Sequence, residues 1–373
     1  MARIGVNALY LIPGGVGGTE IYLRELLAAL ARVDSENQYF IFTNRETGAD
    51  LIPQQSNFFW KPQSVRAAFR LARIVWEQIA LPIEAARCRL DVLFNPGFTT
   101  PLISPCPLVT TFHDLQHLRH PEYFRWFDLP FWRFLLWASA HRSKTLIAVS
   151  ENTRADLLHF YRVPAARIVV ALHGVNRDLL HLDRSRPEPF LLCVSTLHPH
   201  KNIERLIRAY ARRPRAQKLV LAGMRGFQTN PIEKLVAELG VRDRVEITGW
   251  LPRHELLDLF GRAWAFVYPS TFEGFGMPVL EALAAGIPSA CSDIPALREV
   301  AGSAALLFDP LNDDSVAAAL DRISQDRELR CKLAQAGPER ARMFTWERSA
   351  ETTLKALGYI ASRVPSSTFT GGL

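Results

Sequence analysis

Two glutamates flank a glycine-containing turn in the second half of the chain. Glu273 and Glu281 occur in TFEGFGMPVLEA (271–282), with seven residues between them. Pro278 suits the first position of a helix, and Gly286 suits its C-terminal end. We therefore expect Glu273 on a loop and Glu281 in the first helical turn, where the helix dipole stabilises carboxylates. Such carboxylates would accept hydrogen bonds from vicinal hydroxyls, and ordinary first-turn acids are the alternative interpretation.

A second glycine-rich turn, PGGVGGTE (13–20), lies directly after the first predicted strand and before a helix. Backbone N–H groups at the start of a helix bind phosphate oxygens, and the amides of Phe275 and Gly276 offer the same chemistry in the later turn. Segment 13–20 does not match G-x-G-x-x-G, and no Lys-Ser or Lys-Thr follows to make a P-loop. A flexible turn without a ligand is the alternative.

The sequence gives little support for a metal site or for a serine hydrolase. None of the ten histidines has the carboxylate neighbours of a zinc or two-metal site, and there is no D-x-D pair. We therefore predict that no metal is required. A serine hydrolase is disfavoured because G-x-S-x-G is absent and Ser150 is better interpreted as a helix N-cap.

The elements that position these residues alternate between short apolar strands and helices, which predicts an α/β fold with two doubly wound parallel sheets. We expect Rossmann-like domains at 1–176 and 177–345, a C-terminal helix at 346–362 that packs back on the first domain, and a flexible tail at 363–373. Because open α/β sheets bind ligands at the carboxyl ends of their strands, the working residues should face a cleft between the domains. The predicted strands are 3–9, 39–43, 91–94, 108–112, 145–150 and 167–172, then 190–195, 218–222, 245–248, 265–269, 289–291 and 305–308.

Composition limits the class of protein. The chain has 373 residues, 48% of them hydrophobic, so disorder is excluded, and no apolar run reaches the length of a membrane span. Five scattered cysteines and the lack of a signal-peptide pattern predict a reducing, cytoplasmic setting. The net charge of +7 favours anionic partners, without any nucleic-acid motif.

The glutamate pair resembles the E-x7-E element of the retaining glycosyltransferases of family 4, which have the GT-B fold. Other elements of that family follow in the same order across about residues 3–355. They are GGVGGTE (14–20), TTFHDL (110–115), IAVSENTRADL (147–157), VVALHGV (169–175), LHPHKNIERLI (197–207), LVLAGMRG (219–226), ITGWLPRHEL (247–256) and FTWERSAETTL (344–354).

The resemblance implies roles for the matched positions. Glu281 would bind the ribose hydroxyls of a nucleotide, and Glu273 the hydroxyls of the donor sugar. Lys201 would neutralise the departing diphosphate. His113 would reach the donor sugar or the acceptor hydroxyl. Backbone contacts to phosphate, sugar or base are implied for Gly17, Gly18, Leu251, Gly274, Phe275 and Gly276.

The chain departs from the family pattern at two positions. Where the family usually has an arginine before the lysine, this chain has Thr196, which carries no charge. Arg225 could substitute, and a solvent-facing arginine is the alternative. His173 stands where the family commonly has asparagine, and we interpret it as a turn residue.

Two zones of the predicted first domain combine basic and aromatic residues. Arg66, Arg70 and Arg73 fall on one helical stripe, and the segment 119–142 interleaves arginines with aromatic residues such as Trp126. This composition suits an anionic membrane surface. Because the family binds acceptors in its N-terminal domain, the resemblance also implies a lipid-linked or membrane-proximal acceptor there. A core helix with a solvated arginine edge is the alternative.

We therefore expect a retaining, metal-independent glycosyltransferase without a cofactor. Its donor would be a nucleoside diphosphate sugar, with mannose a common outcome of this pattern. Its acceptor would be a glycan or lipid-linked saccharide of cell-surface polysaccharide or lipopolysaccharide, with peripheral contact to the inner face of the plasma membrane. A sugar-nucleotide epimerase, a phosphorylase and a non-catalytic nucleotide-sugar-binding protein are the alternatives.

Overall fold

A computed structural model describes residues 1–15, 17–213, 217–224 and 229–361. The chain divides into two compact units. The first comprises 1–173 together with the C-terminal segment from 346, and the second comprises 174–345. The predicted tail at 363–373 lies outside the described residues.

In the described part of the first unit, seven strands form a parallel sheet in the order β3-β2-β1-β4-β5-β6-β7. The inner strands are buried except for Arg3 and Gln38, which begin β1 and β2, as expected for a sheet covered on both faces. The strands are β1 (Arg3–Ala8), β2 (Gln38–Thr43), β3 (Phe58–Pro62), β4 (Val92–Asn95), β5 (Leu108–Phe112), β6 (Thr145–Ala148) and β7 (Ile168–Val170).

The helices of this unit cover the sheet. They are α1 (Gly18–Val33), α2 (Arg70–Arg87), α3 (Gln116–Arg119), α4 (Leu129–Arg142), α5 (Glu151–Tyr161) and, numbered last in the chain, α14 (Trp346–Ala361). The apolar residues of α1 recur at helical spacing and are buried. Helix α14 packs on α1, where the ring of Trp346 lies 6.2 Å from that of Tyr22. The Ser150 hydroxyl accepts a hydrogen bond from the Thr153 amide and caps α5 as predicted.

In the described part of the second unit, six parallel strands have the order β10-β9-β8-β11-β12-β13. The strands are β8 (Glu188–Val194), β9 (Lys218–Ala222), β10 (Val245–Gly249), β11 (Ala263–Tyr268), β12 (Ser289–Ser292) and β13 (Leu306–Phe308). The helices are α6 (Arg177–Leu180), α7 (Ile203–Ala211), α8 (Thr229–Glu238), α9 (Arg253–Arg262), α10 (Met277–Ala284), α11 (Pro295–Ala301), α12 (Asp313–Gln325) and α13 (Arg327–Ala341).

This strand order creates a switch point in the second unit. From β8 the chain proceeds outward through β9 and β10, then returns to β11 on the other side of β8 and proceeds through β12 and β13. The segments that follow β8 and β11 therefore leave neighbouring strands in opposite directions. A crevice opens at the carboxyl ends of such strands, and ligands bind there in open α/β sheets.

Two local predictions are wrong. Arg66 lies in a turn before α2 rather than on its stripe, because the helix begins only at Arg70. Glu281 is the fifth residue of α10, because the helix begins at Met277 and Gly276 precedes it in a left-handed conformation. Glu281 therefore lies beyond the first turn, where the helix dipole acts less strongly.

Candidate functional site

The switch point of the second unit brings Lys201 and Glu273 together. Lys201 ends a short 3-10 helix after β8, and Glu273 lies on the loop between β11 and α10. The Lys201 Nζ lies 2.6 Å from Glu273 Oε1. The Thr271 amide donates to the His200 carbonyl at 2.7 Å, which joins the two loops through their backbones as well. The ion pair is therefore held on both sides by the loops that carry it.

Tyr268, the last residue of β11, completes a three-membered cluster. Its hydroxyl accepts a hydrogen bond from Lys201 Nζ at 3.0 Å and donates one to Glu273 Oε1 at 2.8 Å. An ammonium group has three N–H donors, and these contacts use two of them. The third has no acceptor among the residues that the structure describes. The cluster thus holds a positioned cation that can accept a further anionic partner.

The cluster favours the charged form of Glu273 and the protonated form of Tyr268. Burial raises the pKa of Glu273, but the charge and hydrogen bond of Lys201 outweigh it, and the pKa lies below its usual value of 4.5. Burial and the negative Glu273 raise the pKa of Tyr268 far above its usual range, so its hydroxyl stays protonated and can donate. Lys201 and Glu273 therefore form a true ion pair at neutral pH.

A second ion-pair cluster surrounds Glu281. Arg253, the first residue of α9, donates from Nη1 to Glu281 Oε1 at 3.1 Å and from Nη2 to Asp178 at 3.1 Å. Burial alone lowers the pKa of Arg253, but attraction to Glu281 and Asp178 raises it above its usual value. Arg253 therefore connects α9, α10 and α6 through their charged side chains.

The loop before α10 brings backbone amides to the helix start. Gly276 has φ of 109°, and an added Cβ would overlap the side chain of Leu297. Phe275 is buried, with its ring 6.0 Å from that of Phe344. Gly274 lies between this anchor and Glu273. Gly286, with φ of 67°, follows the C-terminal end of α10 as predicted. The loop conformation is thus fixed by close packing on one side and by the ion pair on the other.

Two other predicted donor residues follow strands of the same sheet. Thr196 lies two residues beyond β8, where its carbonyl accepts from the His198 amide at 2.8 Å. Leu251 is half-buried between β10 and α9. Both are at carboxyl ends of strands, and their roles stay predictions. Arg225 lies outside the described residues.

The remaining predicted contacts lie in the first unit. Gly17 is the N-cap of α1 with φ of 59°, and open space surrounds both Gly17 and Gly18 where a Cβ would be. His113 follows β5, and its Nε2 donates to the Pro96 carbonyl at 2.8 Å. Burial lowers the pKa of His113 to about 4, so it is neutral at pH 7. The imidazole packs against Tyr22 and His173.

The basic and aromatic residues of this unit divide into two environments. Trp126 is 83% exposed, whereas Arg73 is half-buried in a cavity between α2 and α4. Arg70 stacks over the Trp132 ring at 4.0 Å and lies 3.8 Å from Asp128. Arg66 is exposed in its turn. The four residues therefore do not form one surface of uniform character.

Tyr268 and Arg253 were not predicted from the sequence, although both positions carry a signal in it. Tyr268 ends a predicted strand next to the E-x7-E element, and Arg253 falls within the matched ITGWLPRHEL segment. What was lacking was the strand order, which decides that β8 and β11 are neighbours.

Metal-binding clusters and membrane-spanning helices are both absent from the part of the chain that the structure describes. In residues 1–15, 17–213, 217–224 and 229–361, no three His, Cys, Asp or Glu side chains are grouped so that they could hold a metal ion. Within the same ranges, no helix has the length and hydropathy needed to span a bilayer.

Solved structures with the same fold support the predicted architecture. Sucrose-phosphate synthase from Thermosynechococcus elongatus superposes with a TM-score of 0.79 at 21% identity, covering 98% of this chain and all of the other. Anabaena Alr3699/HepE, in complex with UDP and glucose, superposes with a TM-score of 0.75 at 18% identity, covering 96% and 100%. The predicted GT-B fold is thereby confirmed.

Sequence comparison then identifies the family. Residues 16–179 match Glycosyltransferase Family 4, and residues 181–340 match Glycosyl transferases group 1. The chain belongs to this glycosyltransferase family, as the E-x7-E element predicted.

Two curated relatives illustrate the similarity. The O-antigen chain mannosyltransferase B of Escherichia coli is 32% identical over 264 residues, which is 66% of this chain and 69% of the relative. The O-antigen chain mannosyltransferase RfbU of Salmonella typhimurium is 31% identical over 215 residues, covering 58% and 60%.

Proposed function

We propose that the protein transfers mannose from a nucleoside diphosphate donor to a hydroxyl of a glycan or lipid-linked saccharide during O-antigen or lipopolysaccharide assembly. The observation that carries this proposal is the Lys201–Glu273–Tyr268 cluster at the switch point of the second unit. Mannose is inferred from the names of the curated relatives, which are mannosyltransferases.

The cluster can stabilise a diphosphate leaving group. Negative charge builds up on the phosphate oxygens as the glycosidic bond breaks, and a fixed cation lowers the free energy of that transition state. The unused N–H of Lys201 and the backbone amides of Phe275 and Gly276 supply this charge stabilisation. Since a protein cation and amides do this work, we propose that the reaction needs no metal ion.

The carboxylates bind the two hydroxyl-bearing parts of the donor. Glu273 is ionised and rigidly held, so its second oxygen can accept hydrogen bonds from sugar hydroxyls. Glu281, one turn into α10, takes the ribose hydroxyls, with Leu251 beside the base. Gly17, Gly18 and His113 are proposed contacts from the first unit.

We further propose that the anomeric configuration is retained. Glu273 is committed to the Lys201 ion pair and to Tyr268, so it is a poor nucleophile. A same-face displacement, in which the leaving phosphate helps to deprotonate the incoming hydroxyl, fits these groups better. The configuration of the product, read by NMR, tests this step directly.

Substitution of Lys201 tests the proposed leaving-group site. Lys201→Ala should lower transfer from GDP-mannose by at least ~10²-fold, because it removes a transition-state contact. Lys218→Ala is the matched control, since Lys218 starts β9 at the opposite end of the same sheet and is half exposed. Equal rates in both variants would refute the proposed role of Lys201.

The donor is identified by thermal shift with GDP, UDP, ADP and dTDP sugars. A ligand present at 100 times its Kd stabilises the folded protein by ~2.7 kcal/mol, which gives a clear rise in Tm. If GDP-mannose raised the Tm of neither the wild type nor the Lys218→Ala control, this result would contradict GDP-mannose as the donor.

Peripheral membrane contact is proposed for the outer face of α2. Exposed apolar residues occur there at every fourth position, namely Leu71, Val75, Ile79 and Ile83. The exposed Trp126 and the basic residues of this unit also suit an anionic bilayer surface. Leu71→Asp should reduce flotation with anionic liposomes, whereas Leu311→Asp, at an equally exposed apolar position of the second unit, should not. Absence of flotation by the wild type at low salt would remove this proposal.

A further inference from the structure

The first unit contains a cavity of about 500 Å³ that the donor chemistry does not use. It lies between α2 and α4 at the carboxyl edge of the sheet, since its lining includes Tyr10 just after β1 and Gly97 just after β4. This is the edge at which parallel sheets bind ligands. The cavity is formed by residues 10–136 and therefore belongs to this unit alone.

Arg73 brings a positive charge into this cavity. The Arg73 guanidinium is half-buried, and burial lowers its pKa despite the attraction of Glu77 one helical turn away. The Glu77 carboxylate is buried and accepts hydrogen bonds from Asn7 at 3.1 Å and Thr99 at 2.9 Å. The Arg73 backbone amide donates to the Phe69 carbonyl at 3.0 Å, but no described residue accepts a hydrogen bond from the Arg73 side chain. The planar guanidinium of Arg73 therefore lines the cavity, and its N–H groups donate no hydrogen bond to a described residue.

Arg70 adds a second cation one turn earlier on α2. It stacks on Trp132 from α4 at 4.0 Å, and its nearest carboxylate, Asp128, is 3.8 Å away, beyond hydrogen-bonding distance. The cavity also contains one acidic residue, Asp114, whose Oδ1 accepts from the Gln116 amide at 2.9 Å. The lining therefore carries two arginines against one aspartate.

The rest of the lining is largely apolar and aromatic. Phe98, Phe124 and Leu136 face the cavity together with Trp132. Arg–phosphate pairs are strong, directional contacts, and aromatic side chains pack against sugar rings and alkyl chains. The exposed apolar residues Leu71 and Val75 lie on the same helix as both arginines. The cavity therefore combines two arginines with apolar and aromatic side chains. This lining suits a ligand that has an anionic group attached to an apolar or sugar moiety.

We propose that the Arg70–Arg73 cavity binds the phosphate group of a lipid-linked acceptor. This inference rests on the proposed function, which it deepens by assigning an anionic acceptor. A phosphate ester would accept hydrogen bonds from Arg73 and the outer edge of Arg70, with its apolar substituent directed along the Trp132 side. The same chemistry could serve a free phosphate, and the two sources differ in whether the alkyl part contributes to binding.

Calorimetric titration of the full chain with octyl phosphate, inorganic phosphate and octyl glucoside tests the inference. Octyl phosphate should bind at least tenfold more tightly than either of the other two. Arg73→Gln and Arg70→Gln should each weaken that binding at least tenfold, as expected for loss of a hydrogen bond to a charged group. Arg87→Gln, at the exposed C-terminal end of the same helix, is the matched control and should leave it unchanged.

Equal affinity for inorganic phosphate and octyl phosphate would show that the alkyl chain does not contribute to binding. This result would overturn the lipid-linked ligand and leave a free phosphate as the occupant of the cavity. Octyl phosphate binding that is unchanged in Arg70→Gln and Arg73→Gln would overturn the site itself. The positive charge of Arg73 attracts the buried carboxylate of Glu77, so the Arg73→Gln variant could unfold. In that case Arg73→Lys and Trp132→Leu replace Arg73→Gln in the same titration.

A GDP titration separates this inference from the donor assignment. Lys201→Ala should lose GDP binding and keep octyl phosphate binding, while Arg70→Gln should show the opposite pattern. Loss of both ligands in Lys201→Ala would overturn the assignment of octyl phosphate to the first unit.

Discussion

At the scale of single residues, the site depends on how two glutamates are held. Glu273 and Glu281 have the same side chain, but one is paired with a lysine and a tyrosine and the other with an arginine. A lysine ammonium is a compact point charge suited to neutralising phosphate, whereas a guanidinium fixes a carboxylate in direction. The partners, rather than the glutamates themselves, thus distinguish the two proposed roles.

Arg253 provides a test of this view. Arg253→Gln should weaken GDP binding about tenfold, because Glu281 loses the contact that orients it toward the ribose. Arg262→Gln, on the exposed side of the same helix, removes only the surface ion pairs with Glu188 and Asp258 and serves as the control. Tighter GDP binding by Arg253→Gln, measured by calorimetry, would indicate that Arg253 competes with the ribose instead.

At the scale of elements, the loop between β11 and α10 determines where the amides and both glutamates lie. Its conformation depends on Gly276, where the backbone is left-handed and the Leu297 side chain occupies the space of a Cβ. A non-glycine residue in this conformation costs about 1–2 kcal/mol, and overpacking adds a further cost. Substitution of Gly276 at the start of α10 is therefore expected to be destabilising.

Gly276→Ala should consequently destabilise the second unit more than Gly240→Ala. Gly240 also has a positive φ, of 63°, but nothing lies within 4 Å of its Cβ position. The difference combines the clash with the greater backbone strain of φ 109°, and the clash alone is expected to cost about 1–3 kcal/mol. That cost should lower Tm by a further ~2–12 °C in a unit of this size, measured by scanning calorimetry. Equal Tm values for the two variants would contradict the packing argument.

Most elements of both sheets could be predicted from the sequence, because buried parallel strands are short continuous apolar runs. Strand β3 was missed. It lies at the edge of the sheet, alternates between buried and exposed residues, and contains Lys61 and Pro62. Edge strands tolerate proline and lysine, so the pattern that marks an inner strand is lacking there.

At the scale of the whole molecule, each unit carries its proposed functional residues on one parallel sheet. The first unit also contains a group of buried histidines. Burial lowers the pKa of His113 and of His117 to about 4, and that of His173 well below its usual 6.5. In the unfolded chain these side chains protonate near their usual pKa. The folded state, which holds them neutral, is therefore favoured above pH 6.5 and loses stability as pH falls toward 4.

The Tm of the wild type should therefore fall between about pH 7 and about pH 5, because each such histidine lowers the free energy of unfolding by up to ~1.4 kcal/mol per pH unit. His113→Gln removes one of these groups and should reduce the loss. His254→Gln, at an exposed position of the second unit, should retain it in full. An identical pH dependence in all three proteins would contradict the proposed origin.

The sequence by itself determined the alternation of strands and helices, the glycosyltransferase family and the residues that ought to meet a donor. These depend on local periodicity and on motifs of a few residues, which adjacent side chains and backbone preferences are enough to specify. Only the tertiary structure decided that Lys201 meets Glu273 and Tyr268, that Arg253 holds Glu281, and that Arg73 lines a cavity. Such contacts depend on strand order and on which charges can be buried together, and neither is encoded in local periodicity.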